Sequence, residues 1–477
     1  MVFSSALFIY IFLPITLFCY FVPSLILRRE LIAWKNFCLI VFSLLFYSWG
    51  EGINVLIMLG LVVINWIAAR AISNPTLYRK AIFISSLLLT ISPLFYFKYT
   101  NFFFENLNYW FNLNLKFEKK NLPIGISFFT FQLISYLADV YLNQVKAQKS
   151  FAKLLLYISF FPQLIAGPIV RYVDVSSEIR SRVHSIRNFS YGSQRFIIGL
   201  AQKLIIANSL GELADKIYQT PMSANSSSLL WIAAISYSFQ IYFDFSGYSN
   251  MGIGMARMFG FNFLENFNFP YSALSITDFW RRWHISLSSW FRDYVYIPLG
   301  GNRSGRLRTY FNLSIVFLLC GLWHGASWNF VIWGALHGTL LIFEKTALGK
   351  IFLGAYRPIL FIYTFFTITC LWVFFRIETL PKALEILHVM FQFRHSENAL
   401  LIREVVSPEL FIISIIALIF SIDLKYIFSK QKLSKHPAVC ESKDATLIGT
   451  LGLISIFLIS LGYLAGSDFN PFIYYRF

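Results

Sequence analysis

FNLSIVFLLCGLWHGASWNFVIWGALHGTLLIF, residues 311–343, is the stretch on which the fold turns. It is apolar almost throughout, with Arg308 before it and Lys345 and Lys350 after it. A helix that crosses a hydrocarbon core about 30 Å thick needs about twenty residues. The stretch is therefore too long for one span and too short for two relaxed ones. Gly321 and Gly325 interrupt its middle. Basic residues gather on the cytoplasmic side of membrane proteins, so both ends are assigned there. The stretch reads as a helical hairpin, or two abutting half-helices, with Trp323-His324-Gly325 deep in the membrane at its midpoint.

The rest of the chain agrees with that reading. Of 477 residues, 57% are hydrophobic and only 13% are charged, against about 25% charged in soluble proteins. Apolar runs of span length recur from one end to the other, which predicts a single all-α, polytopic membrane domain over 1–477 with about ten spans. The run 8–27 has no basic segment before it and no small-residue cleavage signal, so it is expected to be a retained span. A net charge of +17 fits the positive-inside pattern and does not call for nucleic acid. The cysteines, at 19, 38, 320, 370 and 440, form no CxxC pair. Neither a disulfide framework nor a metal site is suggested.

The basic loops set the topology by parity. Arg28, Arg29 and Lys35 fall inside, as do Arg70, Arg79 and Lys80, then Lys146, Lys149 and Lys153. The run 154–170 is short, holds Pro162, Gly167 and Pro168, and is basic on both sides. It is expected to be re-entrant, which requires a surrounding of protein or a water-filled cavity. A run at 196–210 leads out, 229–258 returns, and 271–310 is cytoplasmic. Further spans are expected at 356–375, 410–428 and 446–465. Both termini then lie outside the cytoplasm.

Chemistry-bearing residues in this setting are few. His324 is an ionisable group at membrane depth, where such groups face cavities or partners. A neutral imidazole there could act as a general base toward a hydroxyl, with Gly321, Gly325, Ala326 and Ser327 leaving room for substrate. It reads equally as a structural histidine between helices. His284 follows Asp278-Phe279-Trp280-Arg281-Arg282-Trp283, where Phe279, Trp283, Leu287, Trp290 and Tyr294 recur at helical spacing. This pattern predicts an interfacial amphipathic helix. Arg281 and Arg282, with Trp323, are candidate donor-binding residues: the arginines could meet the phosphates of a nucleotide-linked donor, or could simply mark the cytoplasmic face. Asp244, in Tyr242-Phe243-Asp244-Phe245-Ser246-Gly247-Tyr248, reads as a buried structural carboxylate with Arg257 as a possible partner, and Asp139 reads similarly. His337 reads as structural, and His184, His388, His395 and His436 fall in loops without a role. No phosphate-binding glycine loop, GxSxG elbow or HExxH is present.

Taken together these motifs resemble the membrane-bound O-acyltransferase family. The resemblance rests on 241–249, on 278–284, on Tyr296-Ile297-Pro298-Leu299-Gly300-Gly301 and on Gly321-Leu322-Trp323-His324-Gly325-Ala326, in that order. Within the family the chain looks nearest the bacterial branch of alginate and peptidoglycan O-acetyltransferases. The resemblance implies a funnel of helices, with residues from about 271 to 343 as a catalytic core of interfacial helix and hairpin. It implies that His324 matches the essential histidine and His284 a second polar position. It implies an acyl thioester donor, acetyl-CoA being the natural candidate, and no metal. The tail 467–477, with Phe472, Tyr474 and Phe477, is similar to an aromatic C-terminal motif of this branch. By analogy Tyr474 is a candidate acyl acceptor, or else the tail is an interface anchor. The implied setting is a bacterial inner membrane, with an esterase-like extracytoplasmic (SGNH) O-acetyltransferase and a polysaccharide such as alginate or peptidoglycan as partners. A transporter or flippase of an acyl or glycan intermediate, and a lipid or protein O-acyltransferase of the same family, remain the alternatives.

Overall fold

The computed structural model describes the chain except residues 75–76, 119, 166, 393–401, 429–446, 467–468 and 472–477. The regular secondary structure of the described residues is all helical, with no strand among them. Six helical stretches are long and apolar enough to cross a membrane by length and composition: Phe8–Ile26, Ile32–Ser73, Arg79–Phe111, Ile186–Gln219, Arg357–Arg376 and Leu447–Gly466. Large apolar side chains stand exposed along them, including Phe18, Leu56, Leu88, Ile362 and Ile448. Such a surface suits lipid, which leaves no unpaired backbone group in a helix and no cost for an outward leucine.

The chain packs as two compact units, one of residues 1–196 with 251–264, the other of 197–250 with 265–477. In the first, Ile32–Glu51 and Val55–Ser73 are separated by a turn at Gly52, whose φ of +53° suits glycine. The stretch expected to be re-entrant folds as two short helices, Phe151–Ser159 and Phe161–Leu164, whose residues from Leu154 onward are buried in protein. Such burial is what a broken backbone would require at membrane depth.

His184, expected in a loop without a role, is built into a buried polar knot of this unit. Arg182 Nε donates to Tyr20 Oη at 2.9 Å, and its guanidinium also donates to Asn36 Oδ1 at 2.7 Å. Tyr20 Oη lies 2.9 Å from the carbonyl of Phe259 and 2.9 Å from His184 Nε2. Lys35 Nζ lies 3.3 Å from His184 Nδ1 and 2.6 Å from Glu30. An ammonium can only donate, so Nδ1 accepts and Nε2 carries the ring proton.

In the second unit the stretch 311–343 is a hairpin of Arg306–His324 and Trp328–Lys345, broken at 325–327. Its helices touch through glycine. A Cβ on Gly321 would lie 2.3 Å from the Phe330 carbonyl oxygen, and one on Gly334 would lie 2.3 Å from that of Phe317. The expected span 410–428 is instead a helix Pro408–Ser421, an extended Ile422 and a short helix Leu424–Phe428. Asp423 explains the break, since its backbone N–H donates to Ser272 Oγ at 2.6 Å and its carboxylate accepts from Tyr426 N at 3.2 Å.

Candidate active site

His324 closes the first hairpin helix. Gly325 continues in extended conformation (φ −169°) and stops it. The imidazole is buried among rings, with centroids 4.8 Å from Trp323, 5.1 Å from Trp333 and 5.0 Å from Phe375, all edge-on. Edge-to-face pairs of this kind contribute about 0.5–1.5 kcal/mol each beyond area burial, so the ring orientation is held by packing. The expected room at the glycines is absent. A Cβ on Gly325 would fall 2.2 Å from the Phe330 ring, so Gly321 and Gly325 admit the neighbouring helix and its side chains, not a substrate.

The expected amphipathic helix through 279–294 is broken. Ile276–Trp280 and Ile285–Phe291 are separate helices, and the residue between them that forces the break is His284, with φ +42° and ψ +56°. A non-glycine residue in the left-handed region is uncommon and tends to mark sites where geometry serves function. Phe279, Trp283, Leu287 and Trp290 are buried within this unit. Glu344, on the second hairpin helix, anchors the segment by accepting from the backbone N–H groups of Ile276 (2.6 Å) and Thr277 (2.9 Å). A carboxylate at these free N–H groups also suits the positive end of the helix.

The hydrogen bonds fix the tautomer of His284. Ser286 donates its backbone N–H to Asn266 Oδ1 at 3.2 Å, and its hydroxyl does so at 2.9 Å. The acceptor atom of the amide is thereby identified. His284 Nδ1, 3.1 Å from the same oxygen, must be the donor. Nε2 is then a bare lone pair, and it is buried without a hydrogen-bond partner among the described residues. Burial disfavours the imidazolium and pushes the pKa of His284 down to about 3. Phe245 stands edge-on to the ring at 4.5 Å. Trp323 lies 6.0 Å away on centroids, so one indole touches both His284 and His324. His337 packs on Trp333 at 4.6 Å and accepts from Trp280 Nε1 at 3.1 Å.

A slot of about 190 Å³ is lined by Trp280, Phe317, Cys320 and Leu341 together with Arg281 and Arg292, and neither His284 nor His324 lines it. Of the expected donor-binding residues only Arg281 lines it. Arg282 is engaged by Asp278 (2.9 Å) and lies over the Tyr426 ring at 4.5 Å, and Trp323 stands between the histidines. Cys320 lies one helical turn before His324. Among the described residues no group of three or more His, Cys, Asp or Glu is placed to hold a metal ion.

Asp244 pairs with Lys203 at 2.7 Å, not with Arg257. Lys203, Asn266 and Glu344 were missed from the sequence. Lys203 carried a signal, being a lysine inside an apolar run, which calls for an intramembrane partner. Asn266 and Glu344 carried none, because an asparagine in a loop and a glutamate at a helix end are ordinary at the surface. Tyr474 lies outside the described residues.

Residues 142–378, which contain both histidines, match the membrane-bound O-acyltransferase family. The chain is 40% identical over 405 residues to the probable alginate O-acetylase AlgI of Pseudomonas aeruginosa, covering 82% of this chain and 75% of that one. It is 35% identical over 499 residues to the probable alginate O-acetylase AlgI of Pseudomonas putida, over the whole of both. It is 38% identical over 424 residues to the peptidoglycan O-acetyltransferase of Helicobacter pylori, covering 82% of this chain and 80% of that one. These relatives are named for acyl transfer to polysaccharide or peptidoglycan, and this chain is a multi-pass membrane acyltransferase that belongs to the membrane-bound O-acyltransferase family.

Proposed function

We propose that the chain takes an acyl group, acetyl in the first instance, from a thioester on the cytoplasmic face and delivers it to a hydroxyl presented from the opposite face. The end product is an O-acylated extracytoplasmic polysaccharide, of the kind for which the alginate and peptidoglycan relatives are named. The observation that carries this reading is the pairing of two buried histidines across one indole, Trp323, in the same unit as an apolar slot that Arg281 and Arg292 also line.

The donor enters at Arg281 and Arg292, whose charges suit a phosphate-bearing carrier such as coenzyme A. Its acyl end lies along Trp280 and Phe317 toward Cys320. His324 is the general base: it takes the proton of the acceptor hydroxyl as that oxygen attacks the thioester carbonyl carbon. The tetrahedral intermediate collapses with cleavage of the C–S bond, and the imidazolium returns its proton to the departing thiolate. Ester and free thiol are the products. Neutral His284 orients a reactant by accepting an N–H or O–H at its bare Nε2. Rings that exclude water and fix both partners supply proximity. Tyr474, on the C-terminal tail, is the first acyl acceptor, and a secreted esterase-like transferase then moves the group to the polysaccharide. The protein works in a bacterial inner membrane with both termini extracytoplasmic.

The test is acyl transfer from labelled acetyl thioester by the purified protein in liposomes. Loss of a general base costs about 10²–10⁴-fold, so His324→Ala is expected to fall by that much while still inserted and folded. Normal turnover by that variant would remove His324 from the mechanism. Mass spectrometry of the wild type during turnover is expected to find the acyl group on Tyr474.

A further inference from the structure

The second hairpin helix, Trp328–Lys345, carries two ring N–H groups that find no acceptor among the described residues. They belong to Trp333 and His337, which stand one turn apart on one face, with ring centroids 4.6 Å apart. Trp333 is wholly buried and His337 is 1% exposed. Trp280 Nε1 lies 3.1 Å from His337 Nδ1. An indole N–H can only donate, so Nδ1 accepts. A ring that accepts at Nδ1 is neutral and carries its proton on Nε2. That Nε2–H is one of the two orphan donors, and the indole N–H of Trp333 is the other. His284 has the opposite tautomer, with Nε2 bare.

A buried donor without an acceptor is costly, and each one calls for an explanation. Two on adjacent turns of one helix call for a shared one. The ring of Trp333 also stands edge-on to His324, with centroids 5.1 Å apart and planes at 84°. The orphan donors therefore sit in the aromatic cluster that holds the imidazole. Acyl transfer from a thioester passes through a tetrahedral intermediate whose former carbonyl oxygen is an anion. Preset donors in a buried site bind that anion more strongly than the ground-state carbonyl, and this difference is what lowers the barrier.

We infer that His337 Nε2–H and Trp333 Nε1–H form the oxyanion hole of the transferase. As the acceptor oxygen attacks, the π pair of the thioester carbonyl moves onto its oxygen. The two N–H groups donate to that oxygen and keep their protons. Collapse restores the C=O bond and breaks the C–S bond, and the thiolate takes up the proton that His324 removed from the hydroxyl. His337 and Trp333 are catalytic residues, since both touch the reacting oxygen. The inference rests on acyl transfer at His324 for its chemistry, and on the two orphan donors for its geometry.

The experiment uses the full-length protein in liposomes with labelled acetyl-CoA. Trp333→Phe keeps the ring and removes the N–H alone. Loss of one oxyanion donor costs about 10²–10³-fold in kcat, and that loss is expected with KM little changed. No fall in the midpoint of thermal unfolding is expected, because the deleted N–H has no protein partner to lose. Trp231→Phe is the contrast. Its N–H donates to the Met390 carbonyl at 3.0 Å, so a lower midpoint with full turnover is expected there. A lower midpoint with normal kcat in Trp333→Phe would show that a bound water is the partner of that N–H, and would overturn the oxyanion hole. His337→Leu is expected to lose kcat on the same scale. His337→Gln, which keeps an acceptor for Trp280 and an N–H donor, is expected to recover part of it, and equal loss in the two would remove His337 from the hole. A second readout needs no turnover. Acetyl-CoA isotopically labelled at the carbonyl carbon is bound to His324→Ala, and its infrared carbonyl band is expected at lower frequency than in the double variant His324→Ala, Trp333→Phe. Equal bands would overturn the hole whatever His324 does. Normal turnover by His324→Ala, with the band shift present, would sink the general-base reading alone.

Discussion

The smallest features that matter are single ring nitrogens. Ser286 N–H identifies the oxygen of Asn266, that oxygen identifies the protonated nitrogen of His284, and Nε2 is left bare. Asn266→Leu removes the shared acceptor and strands the donors of His284 and Ser286. A buried unsatisfied donor costs about 1–3 kcal/mol, so a lower midpoint of thermal unfolding in detergent is expected. The larger effect is expected on turnover, because either nitrogen of His284 can then carry the proton. Transfer unchanged in the variant would show that the tautomer is immaterial. His324 and His284 were both legible as residues, the first from its depth in an apolar run and the second through family resemblance. Their relation was not. It depends on Trp323 facing both, and on a left-handed turn at His284 that helical periodicity through Phe279, Trp283 and Leu287 concealed.

Among the elements, the hairpin is held by glycines that let two backbones meet. Gly321→Ala puts a methyl 2.3 Å from the Phe330 carbonyl oxygen, a main-chain atom that cannot swing aside. Overpacking of this kind costs about 1–3 kcal/mol, and reduced yield and turnover are expected. Gly452→Ala, with nothing within 4 Å of the added Cβ, is the control and should behave as wild type by size-exclusion chromatography and activity. The polar knot at His184 joins the helix bearing Tyr20, the helix bearing Lys35 and Asn36, and the main chain at Phe259. Burial first, and then the Lys35 ammonium facing Nδ1, push the pKa of His184 from 6.5 down to about 4. Glu30 works in the opposite sense, and Arg182 adds to the lowering. Between those pH values the unfolded chain binds a proton that the folded one refuses, so stability rises with pH across the window. It is expected to be fully present above about pH 6.5 and to be lost as pH falls toward 4. Thermal unfolding across that range reads it out, and His184→Gln should flatten the slope. An unchanged slope would remove His184 as its source.

At the scale of the whole molecule, we propose from the parity of basic loops that the hairpin ends lie inside and both termini outside. A reporter enzyme that is active only outside the cytoplasm, fused after Phe477, is therefore expected to be active, and the same reporter fused after Lys350 inactive. The reverse pattern would invert the direction of transfer. The sequence by itself determined that the chain lives in a membrane, that it is helical, and that 311–343 turns back on itself. Those follow from apolar run length, from charge at run ends and from glycine placement, all of which are local. Only the tertiary structure decided which polar groups meet. Lys203 was passed over and Asp244 was set against Arg257, because spacing along a helix says which face a residue occupies but not which helix lies opposite. The close approach at Gly247 and Gly199 chose Lys203 for it. The same cause filled the space expected at Gly325 with Phe330. Pairing in a helical membrane protein is settled by how near two backbones can come, and that distance is a property of both helices at once.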